Sequence, residues 1–125
     1  MRHMLCNWLP VVVWCAIIFF QSAFATPDLG PAWPLKDKLL HAGAYALLAV
    51  LLCRALNTYD PFRGRPVRLL LACTLLTTLY GLSDEWHQSF VAARTAEAAD
   101  LVADSVGAVL GCGLFLRFKG RGKEG

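Results

Sequence analysis

The sequence predicts an all-α membrane protein, a bundle of four transmembrane helices with both termini in the cytoplasm. Three observations predict it. Hydrophobic residues make up 57% of the 125, against roughly 45–50% in ordinary soluble domains. They gather into four long stretches, and most basic residues gather at one end of those stretches. A chain of this length has the size of one domain, and residues 1–125 are read as one. Its interior is too small to hide that much apolar surface from water, whereas lipid-facing helix surface hides it readily. Hydrophobicity does not alternate by twos within any stretch, and open sheet edges do not occur in hydrocarbon, so the stretches are read as helices.

The first stretch is Trp8–Ala25. Like the others it is close to the ~20 residues that carry a helix across a ~30 Å hydrocarbon core. Arg2 and His3, the apolar run and Ala23-Phe24-Ala25 also resemble a cleavable signal peptide. The run is long for a signal core and nothing soluble follows it, so a retained helix is expected. Cleavage would leave three spans with the same sidedness. Pro27, Gly30, Pro31 and Pro34 end this stretch and separate it from the second, Asp37–Leu56. Pro61, Gly64 and Pro66 punctuate the next connection, and the third stretch is Val67–Trp86. The connection His87–Ala98 holds no proline and is marked by its polarity alone. The fourth stretch is Ala99–Phe118.

Charge orients the bundle. Arg2, Arg54, Arg63, Arg65, Arg68, Arg117, Lys119, Arg121 and Lys123 fall on one side of a four-span arrangement, leaving Lys36, Lys38 and Arg94 for the other. The positive-inside rule therefore places both termini in the cytoplasm. The net charge of +3 reads as orientation and contact with anionic membrane lipid, not as a nucleic-acid footprint. Cys6, Cys15, Cys53, Cys73 and Cys112 have no C-x-x-C spacing and read as small membrane-buried side chains.

The remaining charge concentrates at the outer ends of the helices. Ionisable groups at membrane depth are costly, so they tend to face a protein interior or a wet cavity. At ~100° per residue, Asp37, Lys38, His41 and Tyr45 share an arc of about 100° at the start of the second helix. Thr77, Gly81, Asp84, Glu85 and Gln88 occupy a similar arc on the third. Asp100, Asp104, Gly107 and Gly111 cover about 60° on the fourth. Three polar faces thus lie at one depth, with Arg94 on the connection above them.

Architectural roles compete for several of these residues. Asp37 and Asp100 stand where a carboxylate caps a helix N-terminus. Lys38 is suited to snorkelling, and Tyr45 and Trp86 to an interfacial aromatic belt. Gly107 and Gly111 form a G-x-x-x-G packing motif. His41, Glu85, Gln88 and Asp104 are the strongest functional candidates. Glu85 with His41 offers general acid–base chemistry. Lys38 and Arg94 offer contacts to a phosphate or carboxylate. Asp37, Asp84, Asp100, Asp104, Gln88 and Tyr45 complete the candidate binding set. His41, His87, Asp84, Glu85 and Asp104 contain metal-ligand types, but no motif fixes a metal, and neither metal nor cofactor is predicted. Nucleophile elbows, phosphate loops and dinucleotide fingerprints are absent from the sequence.

These residues carry a resemblance to the VanZ-like family. The segments are Asp37-Lys38-Leu39-Leu40-His41 with Tyr45, Ser83-Asp84-Glu85-Trp86-His87-Gln88-Ser89-Phe90-Val91, Arg94, and Asp100-Leu101-Val102-Ala103-Asp104-Ser105-Val106-Gly107-Ala108. Phe19-Phe20-Gln21-Ser22 is similar to the end of the family's first helix, and the resemblance extends over roughly residues 8–117. Two departures stand out. Ala92-Ala93 precede Arg94 where the family commonly has Pro-Gly, and Asp104 stands where it usually has Asn. The resemblance implies a small bacterial protein of the cytoplasmic membrane, in a family named for a member linked to teicoplanin resistance. The expected function is an outward-facing polar pocket that binds or modifies a lipid-linked or anionic cell-envelope component. The expected partners are membrane lipids and a lipid-linked envelope precursor, with self-association compatible and nucleic acid not expected. The alternative is a non-catalytic structural or accessory subunit whose polar cluster locks helix packing.

Overall fold

Residues 1–23, 36–88, 90 and 98–124 are described in the computed structural model, and every regular element among them is helical. Helix α1 spans Arg2–Ala23, α2 Lys36–Leu56, α3 Pro66–Gln88 and α4 Ala98–Glu124. Each holds a run long and apolar enough to cross a membrane: Arg2–Gln21, Leu39–Leu56, Pro66–His87 and Leu101–Gly120. The expected four-helix reading holds. The helices outrun the apolar stretches at two places, since α1 begins at Arg2 rather than Trp8 and α4 continues to Glu124 rather than Phe118. Polar helix-forming residues extend α4 past its apolar run, whereas the added first residues of α1, Met4, Leu5 and Cys6 among them, still belong to a run apolar enough to cross. The 27 residues of α4 would span ~40 Å, more than the hydrocarbon core requires.

Local chemistry explains the helix ends. Pro66 opens α3, where its missing N–H would have had no intrahelical partner. Pro10 lies inside α1 and cannot donate to the carbonyl of Cys6. The guanidinium of Arg54 reaches that carbonyl at 3.4 Å. Between α2 and α3 a series of turns carries the chain, with Tyr59 N donating to Leu56 O at 3.0 Å and Arg65 N to Phe62 O at 3.0 Å. Gly64 closes that series at φ 72°, a left-handed conformation that costs other residues roughly 1–2 kcal/mol.

Burial is arranged for lipid rather than water. The large aliphatic residues Leu71, Leu75, Leu79 and Leu82 form an exposed stripe along α3, as Val102, Val106, Leu110 and Leu114 do along α4. The interior is instead rich in small and polar groups, including Ala49, Ala55, Ala108, Thr77, Asp84, Asp104 and three cysteines. Lipid competes for aliphatic surface as well as protein does, so close packing of small residues joins the helices. Helix α2 is the centre, contacting the other three and lying most extensively against α4. Gly107 and Gly111 bring α4 onto the backbone of α2. A Cβ at either position would collide with the carbonyl of Ala42 or Ala46 respectively. Helix α1 joins the bundle through Trp14 Nε1, which donates to Ala44 O at 2.9 Å, and through the Tyr80 hydroxyl, which donates to Cys15 O.

Candidate functional site

The ends of α2, α3 and α4 that meet away from the α2–α3 turn carry the polar cluster. His41 stands in the second turn of α2, Asp84 and Glu85 in the last turns of α3, and Asp104 in the second turn of α4. Antiparallel packing brings the start of α2, the end of α3 and the start of α4 to one level. The close α2–α4 contact then sets the distance between His41 and Asp104.

His41 Nδ1 lies 3.2 Å from Asp104 Oδ1, with side-chain exposures of 12% and 0%. The Asp104 carboxylate fits because residue 81 has no side chain. A Cβ there would stand 2.8 Å from Asp104 Oδ2 and 3.3 Å from the Tyr45 ring. Glu85 is buried, and a carboxylate oxygen of it, a nitrogen of His41 and an oxygen of Asp104 all lie within 4.8 Å of one another. A second pair lies beside this trio. The Tyr45 hydroxyl donates to Asp84 Oδ2 at 3.2 Å, both residues being buried. The Tyr45 ring lies parallel to that of His41, 5° between planes and 6.5 Å between centroids.

The trio can work in two ways. With Nδ1 donating to Asp104, the imidazole is held in one tautomer and Nε2 is left to accept a proton, with Glu85 as a neighbouring acid or base. Alternatively one nitrogen and two carboxylate oxygens are donor types that hold a divalent cation. Buried carboxylates at membrane depth are costly unless protonated or compensated by a positive charge, so either use has a physical motive.

The expected site residues divide into three groups. His41, Glu85 and Asp104 converge, and Tyr45 with Asp84 adjoins them. His87 does not join: its ring stacks on Phe19 of α1, centroids 4.4 Å apart. One helical residue turns a side chain ~100°, so His87 points well away from Glu85. Trp86 is exposed, as an interfacial tryptophan should be. Asp37 and Lys38 lie in the first turn of α2, Gln88 ends α3 and Asp100 lies in the first turn of α4. Their side chains, and Arg94 as a whole, fall outside the described residues.

A feature the sequence reading passed over lies at the other end of the bundle, where Cys53, Cys73 and Cys112 meet. The signal was available in their depth. Each stands one to two turns inside the basic end of its span, on three different helices.

Comparison with known proteins agrees with the sequence motifs. No curated protein and no solved structure matches the chain. The family model described as VanZ/LLP1 matches residues 7–119, which takes in α2, α3, most of α1 and α4, and every residue of the polar cluster. The chain therefore belongs to the VanZ/LLP1 family.

Proposed function

We propose that the polar cluster is a working site on the outer side of the bacterial cytoplasmic membrane, where it binds or modifies a lipid-linked or anionic component of the cell envelope. The observation that carries this reading is the convergence of a half-buried His41 with the buried carboxylates of Glu85 and Asp104, from three helices, at one end of the bundle. Glu85 acts as the acid–base or anchoring carboxylate and His41 as its partner. Asp104 and Gln88 are assigned the role of orienting them. Lys38 and Arg94, placed at this end by sequence, hold the anionic group, and Asp37, Asp84, Asp100 and Tyr45 complete the candidate binding set. The excess of Lys and Arg at the opposite end supports a cytoplasmic position for that end. A link to teicoplanin susceptibility is suggested by the family's name and is part of what the test below decides.

The test pairs phenotype with abundance. Wild type, Glu85→Gln and His41→Ala are expressed in a susceptible bacterium, and teicoplanin susceptibility and membrane abundance are recorded together. Binding of the lipid-linked wall precursor to purified protein is measured alongside. Protection and binding by wild type, with abundant but inactive variants, is the expected result. Failure of wild type to protect or to bind would discard the reading.

One observation favours a structural role as the second reading. Asp104 sits wedged at Gly81, beside the glycine contacts that seat α4 on α2. A cluster that only locks the helices predicts that Glu85→Gln and His41→Ala lose membrane abundance in step with any phenotype.

A further inference from the structure

The same three helices carry a second cluster, of different chemistry and independent of the polar site. Cys53 of α2, Cys73 of α3 and Cys112 of α4 are each fully buried. The Sγ of Cys53 lies 2.8 Å from that of Cys73 and 2.8 Å from that of Cys112. All three sulfurs fall within 4.8 Å of one another. Cys6 is exposed and Cys15 half-buried, and neither joins them. A buried cysteine on one helix is ordinary packing. Sulfur at all three corners of one inter-helix triangle is not something packing requires, because alanine or serine fills such corners equally well.

We propose that Cys53, Cys73 and Cys112 form an all-sulfur binding site for a soft monovalent metal ion, copper(I). Donor type comes first: thiolates select Cu(I), zinc and iron–sulfur clusters. Donor number then decides among these. Structural zinc takes four ligands, and iron–sulfur clusters are held by four. Here there are three sulfurs, and the buried polar oxygens nearest them along α3 are the hydroxyls of Thr74, beside Cys73, and Thr77, one turn on, which are not thiolate, imidazole or carboxylate donors of the kind zinc takes.

Charge points the same way. Each thiolate formed on binding releases a proton. A monovalent ion that replaces one proton leaves the buried cluster uncharged, which suits a low-dielectric interior. A divalent ion needs two such replacements for the same balance. The geometry has to open on binding. An ion ~2.3 Å from three sulfurs at the centre of their triangle sets them ~4 Å apart. Cys53 Sγ lies 2.8 Å from each of the other two, so the triangle must widen by side-chain rotation.

A cavity lies one helical layer from the sulfurs. It measures about 230 Å³ and lies at the basic end, lined among others by Asn57, Arg65, Leu69, Leu116 and Lys119. Asn57 stands one helical turn beyond Cys53, Leu69 one turn before Cys73, and Leu116 one turn beyond Cys112. The cavity floor and the sulfur triangle are therefore successive layers of the same three helices. Its rim is cationic, with Lys119 held by Asn57 Oδ1 at 2.6 Å. Such a rim disfavours bare hydrated cations and suits an ion delivered as a neutral or anionic thiol complex.

The test uses the full chain in detergent, reduced and anaerobic, titrated with copper(I) against a chromophoric copper(I) chelator. Wild type is expected to withhold about one equivalent per chain, with X-ray absorption showing sulfur neighbours only, at ~2.3 Å. Cys53→Ala should lose that equivalent, while the double variant Met4→Leu, Cys6→Ser should keep it, which excludes soft ligands at the N-terminus. Since Cys53→Ala can fail to fold, Cys73→Ala and Cys112→Ala are titrated too. Protection of wild-type thiols from alkylation by bound copper gives a readout that needs no variant. Three results overturn the proposal: no copper withheld by wild type, copper lost only in the N-terminal variant, or zinc held in preference to copper. A disulfide joining Cys53 to either neighbour in freshly purified protein also overturns it.

Discussion

Within the polar end the bond from Tyr45 to Asp84 can be broken by removing a single atom. Both partners are buried, so Tyr45→Phe deletes the donor and leaves Asp84 Oδ2 with neither water nor hydroxyl. A stranded buried acceptor costs about 1–3 kcal/mol. Tyr45→Phe is therefore expected to lower the thermal unfolding midpoint in detergent. Tyr59→Phe serves as the control. Its hydroxyl accepts from Trp8 Nε1 at 2.8 Å, but at an exposed position, and little change is expected. Sequence placed Tyr45 on the polar arc of its helix, yet an interfacial aromatic was an equal reading of the same residue. Helical phase gives the face a residue occupies and not which neighbour meets it. For the same reason Glu85 was legible as a member of the cluster, whereas His87, two positions on, belonged to the interface with α1.

Helix pairs obey a different arithmetic, set by how closely two backbones approach. Gly107 and Gly111 face Ala42 and Ala46, and a side chain at either glycine meets backbone rather than a movable side chain. Overpacking a built contact typically costs about 1–3 kcal/mol, and backbone has less room to yield. Gly111→Val is expected to separate α4 from α2 and to cost at least that much, read from thermal unfolding or resistance to a denaturing detergent. Gly113, two residues on, has open space where its Cβ would be. Gly113→Ala should hold or raise stability by up to about 1 kcal/mol, through helix propensity alone. The G-x-x-x-G spacing announced this contact in the sequence, but its partner helix was not legible, since α1, α2 and α3 all carry alanines. The helix ends were less legible than the spans: the polar end of α4 continues a helix that hydrophobicity no longer marks, and at α1 the charged Arg2 and His3 obscured an apolar run that begins there.

For the molecule as a whole, sidedness is the property the sequence states most directly. Reporter fusions at the N- and C-termini are expected to report the same compartment, the cytoplasm, and a fusion in the segment before α2 the opposite one. A reporter pattern with the termini on opposite sides would invert the proposed assignment of the polar end. Four spans were readable because lipid imposes one requirement along the entire length of a helix. The cysteine triangle was not read, because convergence of three single residues leaves no local pattern in a chain. The seam between α2 and α4 has a mechanical consequence. With backbone resting on backbone at Ala42 and Ala46, these two helices are expected to resist sliding or parting and to move together. Asp104 and His41 belong to that pair of helices, whereas Glu85 rides on α3, which lies less extensively against it. Any breathing of the polar site is then expected as a shift of Glu85 relative to the His41–Asp104 pair, limited by the close seat of Asp104 at Gly81.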